Sequence, residues 1–179
     1  MNICPNSFQG CYNGNAADKI ALSMAHLCNI SERRIAQLID PNNNRGLPSM
    51  LVKDCGLNSG FMIPQYTASA ITAENRTLAN PASVHSLPTC ANFEDVVSMG
   101  AYAAIKALKS VENAYRVIAI EYLLACQAKD LIPENTTESL TKLHQLLRTK
   151  VKVLTEDRFL HPDIEAAIEI VHSHHFLKL

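Results

Sequence analysis

The run over residues 94–129 constrains this chain most: it holds no proline, a single glycine at Gly100, and many alanines and branched aliphatics. Val97, Ala104, Leu108, Val111, Tyr115, Ile118 and Tyr122 recur in a three-four rhythm, which predicts one continuous helix. At the usual rise that helix is about 50 Å long, more than the width of a compact domain of 179 residues. A helix so long, with small and apolar residues on more than one side, belongs in a large bundle or an oligomer core, and should leave an apolar stripe exposed in the monomer.

The rest of the chain reads the same way. Over 15–39, Ile20, Met24, Leu27, Ile35 and Leu38 follow helical spacing, until Pro41 and the turn-rich PNNNRGLP stop it. Over 59–78, Ile63, Thr67, Ala70, Ile71 and Leu78 share one side, with Pro64 either in the first turn or at a kink. Asn135 with Glu138 reads as a capping box for a helix reaching about Val153. His161-Pro162-Asp163 opens a last helix, which buries Ile164, Ala167, Ile168 and Val171. No segment alternates as a strand does and no repeat is present, so the fold class is all-α, a long-helix bundle within one domain over 1–179.

Composition removes several function classes. With 47% hydrophobic residues, 18% charged residues and a net charge of −1, the chain has neither a disordered tail nor a basic stripe for nucleic acid. No basic region precedes an apolar core at the start, and no apolar run would span a bilayer, so the expectation is a cytoplasmic protein without membrane contact. The 6 cysteines form no C-x-x-C pair and fit reduced thiols. His172, His174 and His175 lack the four-residue separation and the further ligand a metal site needs, so no metal is expected and a frayed tail is. His26, His85 and His144 read as structural. Gly56-x-x-x-Gly60 lacks the downstream Lys-Ser/Thr of a phosphate loop and reads as a turn entering a helix.

One stretch resists so plain a reading. Residues 80–100, NPASVHSLPTCANFEDVVSMG, form a connection longer than helix pairs need, built of small polar residues and ending in Glu94-Asp95. Asn92 could cap a helix with both acids in its positively polarised first turn. Alternatively, the loop delivers a carboxylate to a site. Residue chemistry alone favours the capping role.

Taken together, NISERRIAQLIDPNNNRGLPSMLV, GLNSGFMIPQYTASAITAENRTLANPASVHSLPTCANFEDVVSMG and DIEAAIEIV resemble, in order, the C-terminal part of the histidine ammonia-lyase family and its aromatic amino acid lyase relatives. The resemblance implies a homotetramer whose long helices merge centrally. It also implies an enzyme that removes ammonia from an aromatic amino acid with a methylidene-imidazolone electrophile, made by cyclisation of Ala-Ser-Gly. Histidine-type members yield urocanate.

By the same resemblance Glu94 takes the place of the acid in the family's Gln-Glu-Asp-His motif. There it would hold the substrate ammonium or imidazole by a charge-assisted hydrogen bond, or move a proton. Asp95 would remain a structural acid of the helix start. Phe8-Gln9-Gly10 resembles the Phe-His-Gly or Phe-Gln-Gly motif lining the substrate pocket, where Phe8 could stack on an aromatic side chain. Gln9 matches the phenylalanine type, and the Val-Val-Ser-Met run matches tyrosine-type lyases and aminomutases, whereas Glu94 favours histidine. Ser7, Phe93 and Val96 depart from the family's asparagine, glutamine and histidine.

No Ala-Ser-Gly occurs in the sequence; the nearest string is Asn58-Ser59-Gly60. The expectation is therefore a chain that carries no cofactor, is inactive alone, and is completed by an N-terminal lyase chain bearing Ala-Ser-Gly. The alternatives are a noncatalytic helical scaffold or truncated remnant of the family, and a portion of a tyrosine or phenylalanine ammonia-lyase or aminomutase.

Overall fold

The computed structural model describes residues 10–132 and 136–173. Five α-helices lie among them: α1 (Cys11–Ile39), α2 (Met62–Leu78), α3 (Gly100–Leu131), α4 (Glu138–Arg148) and α5 (His161–His172), with a 3-10 turn at Ser49–Leu51. The described residues contain isolated bridges but no strand, and the chain is all-helical, as expected. None of these helices is long and apolar enough to cross a membrane. Two compact units divide the chain: Met1–Cys28 with Thr72–Ala114, and Asn29–Ile71 with Tyr115–Leu179.

In the first unit the helix faces that meet are built of small residues. Gly14, Asp18, Ala21, Ala25 and Cys28 are the buried positions of α1, and Ala103, Lys106, Ala107, Ser110, Asn113 and Ala114 those of α3. Small side chains let helix backbones approach closely, so the large apolar residues of the same helices turn outward. Ile20 and Leu27 of α1, expected inside, are exposed, and so are Ala104 and Leu108 of α3. Tyr102, Ile105 and Leu108, at 57%, 63% and 64% exposure, form the apolar stripe that the length of α3 predicts. Asn75 of α2 ties three helices together, its Nδ2 donating to Cys28 Sγ (3.1 Å) and to the Ser110 carbonyl (3.1 Å), while Asn113 Nδ2 donates to Asn75 Oδ1 (3.0 Å) and Glu74 Oε2 (2.7 Å).

In the second unit the core is larger and more aliphatic, with Ile35, Leu51, Phe61, Val117, Ile120, Leu123, Leu124 and Leu147 fully buried. On α2 the buried face is Pro64 and Ala68, not the expected Ile63, Thr67 and Ala70, which are exposed. Pro64 sits in the first turn, where its missing N–H costs no helical bond. Buried Glu32 of α1 accepts from Arg33 Nε (2.6 Å), Ser69 Oγ (2.8 Å) and Gln65 Nε2 (3.1 Å). Burial pushes its carboxyl up, but the bonds from Arg33, Ser69 and Gln65 with the Arg33 charge outweigh that, and its pKa falls below the ordinary value.

Both ends of α4 differ from the sequence reading. α4 is capped by Thr137, whose Oγ1 accepts from Leu140 N at 3.4 Å, while Asn135 lies outside the described residues. It stops at Arg148 rather than near Val153, because the buried Gln127 amide captures the following segment. Gln127 Nε2 donates to the Leu154 carbonyl (2.8 Å) and the Leu51 carbonyl (3.1 Å), and its Oε1 accepts from Leu154 N (3.0 Å). At α5, Pro162 sits in the opening turn and Ala167 and Val171 are buried, as expected, but Ile170 joins them while Ile164 and Ile168 are half-buried.

Replacing Gln127 by alanine leaves two buried carbonyls and a buried N–H without partners, and should cost about 3 kcal/mol in urea unfolding at fixed protein concentration. Glu32, with its folded pKa below its unfolded one, stabilises above the unfolded value and loses that contribution as pH falls through the folded value. The stability advantage of wild type over Glu32→Gln should therefore be constant from pH 7 to about pH 5 and shrink below about pH 4.3, read by denaturant midpoints across that range.

Candidate functional site

Residues 80–99 do not enter α3 as a capped helix start. The helix opens at Gly100 with no acid in its first turn, so Asn92 is not its cap, and neither Glu94 nor Asp95 meets its dipole. Thr89 and Glu94 instead exchange backbone bonds, Thr89 N to the Glu94 carbonyl at 2.8 Å and Glu94 N to the Thr89 carbonyl at 3.2 Å. The residues between them close a tight turn in which Cys90, Ala91 and Asn92 all hold left-handed φ of 55°, 52° and 67°. Side-chain-bearing residues occupy that region at a cost of about 1–2 kcal/mol each. Such strain persists where the surroundings over-determine it, and it concentrates at functional sites. Glu94 stands at the end of this turn, half-buried; Asp95 is exposed beside it, which corrects its expected place in the helix start.

The surroundings that fix the loop come from α1 and α3. Asp18 of α1, only 6% exposed, accepts from Ala82 N (2.9 Å) and Ser83 N (2.8 Å). Burial pushes its carboxyl up, but the bonds from Ala82 and Ser83 with the Lys106 charge overcome this and bring its pKa below the ordinary value. Lys106 of α3, also 6% exposed, donates its Nζ to the Asn80 carbonyl. Val97 N donates to Ser86 Oγ (3.0 Å), tying the loop across itself, and Gly100 N donates to Ser98 Oγ (3.2 Å). At the far end Gly14 admits the loop closely: a Cβ there would lie 3.0 Å from the Ser98 carbonyl oxygen and 3.3 Å from Gly100 Cα.

Phe8 and Gln9 lie outside the described residues. Gly10, which follows them, is described, and a Cβ on it would lie 4.0 Å from Ser98 Oγ, so the chain just beyond the Phe8-Gln9 motif reaches the loop that carries Glu94. The sequence reading missed Asp18, Lys106 and Gly14. Their signal was present: each sits at helical spacing among alanines on a face that only small residues or a satisfied polar group can occupy.

The other candidates resolve as structural. His144 Nε2 pairs with Asp130 at 2.7 Å, beside Arg148 on the same carboxylate, and His172 stacks on Tyr115 with ring centroids 3.9 Å apart, so it ends α5 rather than fraying. His174 and His175 lie outside the described residues, among which no three His, Cys, Asp or Glu side chains group for a metal. Gly56 and Gly60 bound a turn ahead of α2, as read from sequence. A cavity of about 530 Å³ in the second unit, lined by Ile63, Ile71, Ile120, Ile164 and Ile168, contains none of the sequence-predicted site residues. Its Asp157 is committed to the backbone N–H groups of Ser59 (2.7 Å) and Gly60 (2.8 Å), and its Arg158 to Asp163.

The described residues form a helical scaffold that carries Glu94 on a strained loop tied across itself. Comparison with known proteins names it. The aromatic amino acid lyase family model matches residues 3–149. The chain is 48% identical over 155 residues to the histidine ammonia-lyase of Natranaerobius thermophilus, covering 86% of this chain and 31% of that protein. It is 48% identical over 166 residues to the Homo sapiens histidine ammonia-lyase, covering 92% and 25%. Among solved structures, histidine ammonia-lyase from Trypanosoma cruzi superposes with a TM-score of 0.88 at 46% identity, covering 92% of this chain and 32% of that one. Tyrosine aminomutase from Streptomyces globisporus does so with a TM-score of 0.88 at 34% identity, covering 92% and 32%. The chain belongs to the aromatic amino acid lyase family, and it spans about a quarter to a third of the length of these relatives.

Replacing Gly14 by alanine should press a methyl group into the Ser98–Gly100 backbone. The expected result is a loss of about 1–2 kcal/mol despite the gain in helix propensity, with faster amide exchange at Thr89 and Glu94 by mass spectrometry.

Proposed function

We propose that this chain is the C-terminal portion of an ammonia-lyase that converts L-histidine to urocanate and ammonia, and that Glu94 belongs to its substrate pocket together with Phe8 and Gln9. The observation that carries the reading is the mounting of Glu94: the acid at the family's motif position ends a left-handed turn of three side-chain-bearing residues, secured from two helices. Higher identity to the histidine ammonia-lyases than to the aminomutase supports histidine as the substrate. The Glu94 carboxylate would receive the substrate's ammonium or imidazole N–H.

The chain's own residues do not fit the family's electrophile. Ala-Ser-Gly is missing from the 179 residues, and in Asn58-Ser59-Gly60 the Gly60 N–H that cyclisation would need is held by Asp157. In this reading the electrophile comes from an Ala-Ser-Gly elsewhere in the complete enzyme, and these residues alone are inactive. The enzyme is a homo-oligomer, a tetramer by family resemblance, with Tyr102, Ile105 and Leu108 among the surfaces it covers. That same apolar stripe favours a second reading, a noncatalytic helical scaffold in which Glu94 has no task.

The test begins by isolating the chain from its native cells and weighing what accompanies it, in the same polypeptide or another. An Ala-Ser-Gly segment lighter by two waters, one lost on ring closure and one on dehydration of its serine, supports the lyase; the chain alone, or self-associated only, supports the scaffold. In the complete enzyme, Glu94→Gln should lower kcat/KM for histidine-dependent ammonia release about 10–150-fold, the worth of a hydrogen bond to a charged group. Unchanged release would remove Glu94 from the pocket.

A further inference from the structure

We infer that Asp18 and Lys106 are positioning residues for Glu94: the pair clamps the start of the 80–99 loop to α1 and α3, and thereby sets where the turn presents its carboxylate. The inference rests on the reading of Glu94 as a pocket residue.

Burying charge among alanines is costly unless each charge is paired and hydrogen-bonded. Asp18 is followed on its face by Ala21 and Ala25, and Lys106 is flanked by Ala103 and Ala107. Apolar residues would fill those faces without that cost. What the two charges add is the capture of irregular backbone: Asn80 O, Ala82 N and Ser83 N are polar groups without helical partners, and the pair engages all three. The Lys106 ammonium also lies 5.7 Å from the Tyr102 ring centroid.

Placement on α1 links this clamp to the rest of the site. Gly14 and Asp18, four apart on α1, share one helix face, and Gly10 stands just ahead of the helix, its carbonyl accepting from Gly14 N at 3.1 Å. Gly14 receives the end of the loop at Ser98 and Gly100, and Asp18 its beginning at Ala82 and Ser83. One turn of α1 thus fixes both ends of the segment whose middle holds Glu94. The path between them is short: three residues past Ser83, Ser86 accepts from Val97 N, three residues past Glu94. Displacing the Asp18 end must shift this tie or the left-handed turn beside it.

A double-mutant cycle on the complete enzyme tests the clamp. Asp18→Asn and, separately, Lys106→Gln are each measured in the wild-type and Glu94→Gln backgrounds, with kcat and KM for histidine and amide exchange at Thr89 and Glu94 as readouts. The expected result is a loss of kcat/KM of about 10-fold for each single variant and faster exchange at the turn. Neither loss should recur in the Glu94→Gln background, because each acts through that carboxylate. Losses that recur undiminished there, or turn exchange at the wild-type rate, would overturn the positioning role. If Glu94→Gln keeps full activity, the pocket reading fails by itself; faster turn exchange in the single variants then still supports the clamp, and unchanged exchange removes it. Lys106→Gln keeps the Asp18 bonds to Ala82 and Ser83, so the cycle survives if Asp18→Asn does not fold.

Discussion

Burial of polar side chains on packed helix faces is the constraint on which the rest of this structure depends. A buried donor or acceptor without a partner costs about 1–3 kcal/mol, so each such residue must meet a specific backbone or side-chain group. Asp18 meets the N–H groups of Ala82 and Ser83, Asn75 meets Cys28 and Ser110, and Gln127 meets Leu51 and Leu154. Each pairing fixes a register that apolar contact alone would leave free to slide. The partners are mostly irregular backbone, so the helices dictate the course of the segments between them.

That dependence explains how a long polar connection can hold a strained turn. The left-handed conformations of Cys90, Ala91 and Asn92 would relax in a free loop. Here the segment is held at Asn80, Ala82 and Ser83, tied at Ser86, and closed against Gly14, so relaxation would break bonds to buried groups. Glu94 therefore stands on a loop that helices hold in place, which is what the substrate-binding role proposed for it would require.

The positions of the helices were legible because periodicity and punctuation are local. Pro41 stopped α1 and the alanine-rich run gave α3 through most of its length, while the structure decided that Pro64 sits in the first turn of α2 and not at a kink. Which face each helix buries was not legible from hydrophobicity: Ile20, Leu27, Ile63 and Leu108 look like core residues and lie exposed, while Asp18, Asn75 and Lys106 look like surface residues and lie buried. Close helix packing rewards small volume, and a polar group with a fixed partner is tolerated there, whereas a large aliphatic is not.

By itself the sequence determined the all-helical class, the order and approximate extent of the helices, and, through motifs such as Gly56–Met62 and Glu94-Asp95, membership of the lyase family. Only the tertiary structure decided that α3 begins at Gly100, that Glu94 ends a left-handed turn instead of facing a helix dipole, and that Asp18, Lys106 and Gly14 hold it. The physical reason is range. Propensity and spacing act over a few residues, whereas a loop's conformation is set by polar groups tens of residues away that have no other way to be satisfied.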